Sequence, residues 1–445
     1  MDRKAERNRQ GRYNNFGKAL LHAVIFLYGL SMVFLFYKQT GWSGGAVYES
    51  DLPVHIKMIV EDGWYYSLTA FVYQALYQIP FILPDGAPFG NLAIAVFLGL
   101  CGVFSVYLTA CLLRDMQRNG GEKTVRRISA EESGIEKTVR RTGAEESGIE
   151  KNAGEKLTAW HLAGGLLLNL VMPCYIRGIA DGRYIGMESA SIWHNSTYIV
   201  MKMTGLLCIL YYGRLEKKYR RGISGGEWIL FTLLLSVCTA VKPSFLLVFA
   251  PVMAVFLLAD LVQKTLFMKI FAFGSTVFLP FLVVLFQNMV LFGQETGNGW
   301  EIRPGYALSL HSGYPLLSAA FSILFPLMLL FLFRGELLTD RQFQGAWLMA
   351  VVGFLEVFLF TETGSRAGDG NFMWGYSFAI LMIFAVSLIR WAETGKEILQ
   401  EKEMGGHWLQ VGAFVVSGAA LIWHLYCGIY FYLHLLQGVS YYMWD

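Results

Sequence analysis

Charged side chains make up only 16% of this chain, yet two carboxylates stand two residues apart in Glu49-Ser50-Asp51, with an imidazole, His55, one helical turn further on. A carboxylate within reach of a bound hydroxyl can take its proton in a transition state, which makes Asp51 a candidate general base and Glu49 its partner. Oxygen ligands at this spacing also suit a hard cation such as Mg2+ or Mn2+, with Glu49 and Asp51 as the ligands. The same residues fit a plain helix start, because Ser50 or Asp51 before Pro53 is a good N-cap.

Four further clusters hold groups suited to an anionic or polar ligand. Arg177, Asp181, Arg183 and Glu188 precede Trp193-His194-Asn195. Arg183 and His194 are the binding candidates there, and a salt-bridged surface loop is the plainer alternative. Asn195-Ser196-Thr197 also matches a glycosylation sequon. Lys242, in Val241-Lys242-Pro243-Ser244 between two apolar runs, offers a point charge for a phosphate; a lysine so placed can equally snorkel to an interface. Glu295 and Trp300-Glu301-Ile302-Arg303, before His311, contribute Glu301 and Arg303. The fifth cluster sets Glu362, Arg366, Asp369, Asn371 and Trp374 among glycines that let a backbone approach a ligand closely. A turn ending in an interface tryptophan is its plainer form. Glu356 stands apart, inside an apolar run, where a carboxylate must pair or line a cavity. There is no P-loop, no Rossmann glycine pattern after a strand and no zincin motif.

The elements that must position these groups are apolar runs long enough to span a bilayer. They lie at about 19–37, 90–113, 158–176, 196–213, 227–241, 244–262, 268–292, 314–333, 344–361, 372–390 and 408–433. With 55% hydrophobic residues and a mean hydropathy of +0.44, the chain is expected to be an all-α polytopic transmembrane bundle of about 11 spans. A net charge of +3 is too small to point to nucleic acid. The six cysteines lie in or beside apolar segments without zinc-ligand spacing and read as packing residues. The apolar run to Tyr37 is too long for a signal peptide, so residues 1–18 read as a cytoplasmic basic tail before a retained first span.

Residues 65–83 are apolar but rich in Tyr and Gln. The positive-inside rule reads them as lying at the interface rather than spanning. Residues 19–113 then hold the first spans with an external acidic loop, 114–157 form a cytoplasmic insert, and 158–445 complete the bundle. Within the insert, the sequence Glu122–Ile135 recurs almost unchanged as Glu136–Ile149. It has too few large apolar residues to build a core and is expected to be solvated, disordered or weakly helical. In this topology all five polar clusters face out, while the inner loops carry ordinary anchoring charge.

This arrangement resembles the GT-C membrane glycosyltransferases that use polyprenyl-phosphate sugar donors. Glu49-Ser50-Asp51 stands in acid-x-acid form just after span one, where that family carries its catalytic motif. Residues 58–83 look like its interfacial helices, and Lys242-Pro243-Ser244 looks like its basic turn toward the lipid phosphate. The resemblance implies that Asp51 activates an acceptor hydroxyl for inversion at the anomeric carbon, with Glu49 orienting the acceptor or a cation. It implies Lys242, Arg366 and Arg183 on the donor's phosphate and His55 and His194 on sugar or phosphate oxygens. Glu301, Arg303 and Asp369 are further donor-binding candidates. A glycan or lipid acceptor and a site on the outer face of the plasma membrane are what the resemblance implies, in line with the cytoplasmic N-terminus that the positive-inside rule gives. The rival readings are a transporter or flippase, which would use charged groups within spans and broken helices, a polysaccharide polymerase, and a structural membrane subunit.

Overall fold

Helix-forming apolar stretches, ended by caps and prolines, build nearly all of the molecule. The computed structural model describes residues 2–41, 48–63, 65, 67–132, 156–176, 188–292, 299–310, 312–333, 335, 339–364, 370–400 and 408–438; for 2–14, 119–132 and 291–292 it describes the backbone alone. The helices are α1 (Asp2–Gln39), α2 (Leu52–Val60), α3 (Leu68–Tyr77), α4 (Phe89–Glu132), α5 (Ala159–Leu168), α6 (Ser196–Glu216), α7 (Gly225–Val241) and α8 (Ser244–Val262). There follow α9 (Phe267–Gly274), α10 (Phe278–Phe292), α11 (Tyr306–Ser309), α12 (Pro315–Ser322), α13 (Leu324–Leu332), α14 (Arg341–Leu359), α15 (Met373–Gln400) and α16 (Trp408–Leu436). One antiparallel ladder joins β1 (Trp300–Ile302) to β2 (Phe360–Glu362), with Trp300 opposite Glu362.

Among the described residues seven helices are long and apolar enough to cross a membrane: 15–39, 89–118, 244–262, 267–290, 341–359, 373–400 and 408–436. The number is eight if α12 and α13, bent by 74° at Ile323, count as one broken span. The remaining apolar runs take other forms. The 158–176 run is helical only to Leu168, and α7 has 17 residues. Helix α6 has 21 residues but carries the buried Lys202 among its apolar side chains. The 52–77 stretch forms two short helices, α2 and α3, which expose Val54, Val60 and Phe71. Helix α4 does not stop at 113. It continues to Glu132, into the first copy of the repeat, because the span supplies the nucleus and no proline interrupts it. The second copy lies outside the described residues.

Helix α15 forms the centre. Every residue from Met373 to Ile389 is buried, as expected for a helix apolar all round. Around it pack α4, α8, α13, α14 and α16, and their outward faces expose Phe104, Leu258, Phe331, Leu355 and Ile422. Five of the cysteines are buried and all six are free, in keeping with a packing role.

The non-helical 169–176 segment is held by backbone bonds. The Met172 amide donates to the His424 carbonyl at 3.2 Å, and the Cys174 amide to the Phe321 carbonyl at 3.0 Å. Gly428 makes room for it, since a Cβ there would stand 1.5 Å from the Leu170 oxygen. Irregular backbone at such depth survives only when neighbouring elements satisfy it. His424 also braces the break between α12 and α13, where its Nε2 accepts from the Phe325 amide at 3.3 Å.

The loops gather at two ends. At one, Asp260 near the end of α8 binds Arg220 at 2.5 Å and Arg341 at 2.9 Å, and accepts from the Tyr219 hydroxyl. Arg341 also meets Glu216 at 2.9 Å. Asp340 caps α14 through the amides of Gln342 and Phe343 and pairs with Arg390. Thr158 and His161 form a capping box for α5, and His161 Nε2 reaches Gln117 at 2.9 Å, tying α5 to α4. At the other end lie the segment after α1, the start of α6, the α7–α8 turn and the start of α15.

Candidate functional site

Asp51 occupies the N-cap position of α2 but does not cap it: no amide of the helix bonds its side chain. Ser50 Oγ takes the Leu52 amide instead, at 3.1 Å. The Asp51 amide is fastened to the His194 carbonyl at 3.0 Å, and Oδ2 accepts from Asn195 Nδ2 at 2.5 Å. The carboxylate is thus turned from its own helix toward the start of α6, and the plainer N-cap role does not describe it.

Asn195 is the hub. It is 3% exposed and is the N-cap of α6, taking the Tyr198 amide on Oδ1 at 2.8 Å. The same oxygen accepts from Thr197 Oγ1 at 2.9 Å and from Lys242 Nζ at 3.4 Å. The amide therefore has its oxygen toward a cation and its nitrogen toward an anion, which fixes its orientation. Burial of Asn195 in this role also removes it from the surface that a glycosylated asparagine requires.

Lys242 ends α7 and precedes Pro243, so the chain leaves the helix extended there and turns the side chain inward. It is 8% exposed, donates to Thr197 Oγ1 at 2.9 Å and lies 4.8 Å from the Trp374 ring centroid. It does not snorkel. Trp374, likewise buried rather than interfacial, donates from Nε1 to Asn371 Oδ1 at 3.1 Å. Asn371 Nδ2 donates to both oxygens of Glu362, at 3.0 and 2.9 Å, and its carbonyl accepts from Ser244 Oγ at 3.2 Å. A continuous polar chain results, from Asp51 through Asn195 and Lys242, across the Trp374 face, to Asn371 and Glu362. The His194 ring lies 5.9 Å from that of Trp374. Burial pushes its proton affinity below the ordinary imidazole value; Asp51 works against that and Lys242 with it. His194 is 3% exposed and enclosed against Trp374, not a surface group.

The ladder brings the fourth and fifth clusters together. Glu301 and Arg303, in or next to β1, are exposed and 3.9 Å apart, and Arg303 stacks 3.6 Å from the Tyr306 ring centroid. Glu49 is exposed and His55 half-buried, one turn along α2 from Asp51. Arg177, Asp181, Arg183, Glu295, His311, Arg366 and Asp369 lie outside the described residues. Among the described residues no three His, Cys, Asp or Glu side chains gather as metal ligands. Among the described residues, Lys242 supplies a positive charge on the far side of Asn195 from Asp51.

Asn195 and Asn371 stand in the second and fifth clusters without a role of their own, and Thr197 enters only through the sequon; the signal for Asn195 is its place as a capping residue before an apolar helix. Glu188, 0% exposed, accepts from Ser322 Oγ at 3.3 Å at the α12–α13 break, away from the surface loop expected for it. In comparisons with known proteins, no family model and no curated protein matches the chain.

Proposed function

We propose that this chain is a membrane glycosyltransferase that moves a sugar from a polyprenyl-phosphate donor to an acceptor hydroxyl, with Asp51 as general base. The supporting observation is the Asp51–Asn195–Lys242 relay, in which a carboxylate is drawn off its own helix by an amide whose opposite side faces a lysine. In this reading the Asp51 oxygen not held by Asn195 takes the acceptor's proton as its hydroxyl attacks the anomeric carbon opposite the departing phosphate, inverting that centre. A lipid phosphate needs little acid assistance, and Lys242, Arg183 and Arg366 offset its charge. Glu49 orients the acceptor or a Mg2+ or Mn2+ ion. His55, Glu301, Arg303 and Asp369 border the donor. With α5, α6 and α7 counted as crossings and the N-terminus cytoplasmic, eleven spans put this end of the bundle on the outer face of the plasma membrane. The apolar faces of α2 and α3 then rest in the headgroups.

The test uses protein in lipid with radiolabelled polyprenyl-phosphate sugars. Transfer by wild type, and a fall of about 100-fold or more in Asp51→Asn, is expected; equal transfer by the two proteins removes Asp51 from the role. A transport reading is favoured by one feature, the 74° break beside buried Glu188. Absent donor binding together with solute uptake that depends on Glu188 or Glu356 would replace the transferase reading with it.

A further inference from the structure

Lys202 stands in the second turn of α6, 4% exposed, and its described hydrogen bond is to the Ala190 carbonyl at 2.8 Å. Among the described residues no carboxylate comes within ion-pair distance of it. It borders a small cavity of about 10 Å³, room for one occupant near the size of a water molecule. Tyr28, Ser105, Asn169, Ser191 and Trp193 complete the polar part of the wall, and Met32, Ile192 and Ile199 the apolar part.

Two hydroxyls of the wall have a proton to give, while Ser105 Oγ donates to the Cys101 carbonyl at 2.8 Å. The Ser191 hydroxyl is buried, in a residue 1% exposed, and has no partner among the described residues. The Tyr28 hydroxyl accepts from Trp193 Nε1 at 3.2 Å, which leaves its own proton to give. Asn169 spends its amide protons on Thr109 and on the Gly165 carbonyl, so its Nδ2 is held in the wall rather than aimed inward. The Lys202 amine and two hydroxyl donors border the space, and among the described residues no carboxylate does. A water molecule would suit a neutral lysine but would leave a protonated one without a counter-charge in a buried site, which is costly. A tetrahedral oxyanion is too large for the space. We infer that this cavity binds a single halide ion, chloride in ordinary media, as the counter-charge of Lys202. The site is separate from the Asp51–Lys242 relay and does not depend on the transferase reading.

The experiment measures the thermal midpoint of the full chain in nanodiscs, titrated with sodium chloride, bromide or gluconate at constant ionic strength. The expected result is a saturable rise with chloride and bromide and none with gluconate. Lys202→Met should abolish the rise. Ser191→Ala should move half-saturation up roughly tenfold, the loss of one bond to a charged group. Crystals grown in bromide should show an anomalous peak in contact with Lys202 Nζ. Identical midpoints in the three salts, or an unchanged halide response in Lys202→Met, would overturn the site and leave water in the cavity. If Lys202→Met does not fold, Ser191→Ala and the bromide position decide, and a bromide peak only elsewhere counts against the site.

Discussion

Asn195→Asp changes almost no volume and keeps the cap of α6, since Asp and Asn cap helices about equally well. It removes the donor that Asp51 Oδ2 meets at 2.5 Å and sets a second carboxylate in its place. Two unit charges at 2.5 Å repel by about 6–7 kcal/mol at an effective dielectric of ~20. The pair can escape by holding one proton, which costs about 1.4 kcal/mol for each pH unit above a carboxylate value near 4. At pH 8 both routes cost about 5–7 kcal/mol, and Lys242, 3.4 Å from the other oxygen, offsets part of this. At pH 5 the proton costs only about 1.4 kcal/mol and, once shared, restores a bond between the two carboxyls. Asn195→Ala is the contrast. It loses the cap, about 1 kcal/mol, and a bond to a charged group, about 1.5–3 kcal/mol, at any pH. Unfolding followed in detergent from pH 8 to pH 5 should therefore show the Asn195→Asp penalty shrinking by about 2–4 kcal/mol while that of Asn195→Ala changes by less than about 1. Parallel pH profiles for the two variants would mean that Asp51 and Asn195 are not paired, and the site would have to be rebuilt without the relay.

Burial depresses the proton affinity of His194, so the unfolded chain takes up its proton first as pH falls. Its contribution to stability is complete above about pH 6.5 and is lost as pH drops from there through the folded-state value; thermal midpoints of His194→Gln should be flatter over pH 5–7 than those of wild type. Gly375→Ala would place a Cβ 2.6 Å from the Ser244 carbonyl oxygen, whereas at Gly412 there is open space. The first change should cost about 2–4 kcal/mol and push α15 off α8, and Gly412→Ala should be neutral or mildly stabilising, as monodispersity and midpoint in detergent would report. Asp260→Asn strips the shared partner of Arg220 and Arg341. Because Arg220 is half exposed, the loss should be about 2–3 kcal/mol rather than the full cost of an orphaned buried charge. Arg341→Met in the same protein should recover part of it, as a double-mutant cycle of unfolding would show.

The helical architecture, and the placing of Asp51 and Lys242 beside helix ends, were legible because apolar length and isolated charge are strong signals in a membrane chain. The neutral hub was not, since Asn195 differs from any capping asparagine only by what stands across from it. Lys202 was visible in principle: a lysine inside the 196–213 run carries the same message as Glu356 inside its own. The break at Ile323 was hidden because 314–333 is apolar throughout and its cause is tertiary, a backbone segment and His424 packed against it. Asn169 and Pro173, which disfavour a continuing helix, carry a signal for the early end of α5 that the apolar length of 158–176 outweighs. The inward turn of Trp374 depends on Lys242, in the α7–α8 turn far away in sequence, and on Asn371 close by.

The stitching of residues 170–172 to α16 carries a consequence for biogenesis. Those residues leave the ribosome long before their partners: Met172 and His424 are 252 positions apart, about 12–50 s of synthesis at roughly 5–20 residues per second. During that interval the segment has no satisfied place in lipid, so it must wait in the insertion machinery, at the interface or under a chaperone. Chains truncated before residue 424 should therefore integrate their earlier helices yet stay open to protease between 169 and 176, which makes the last helix the step that closes the fold.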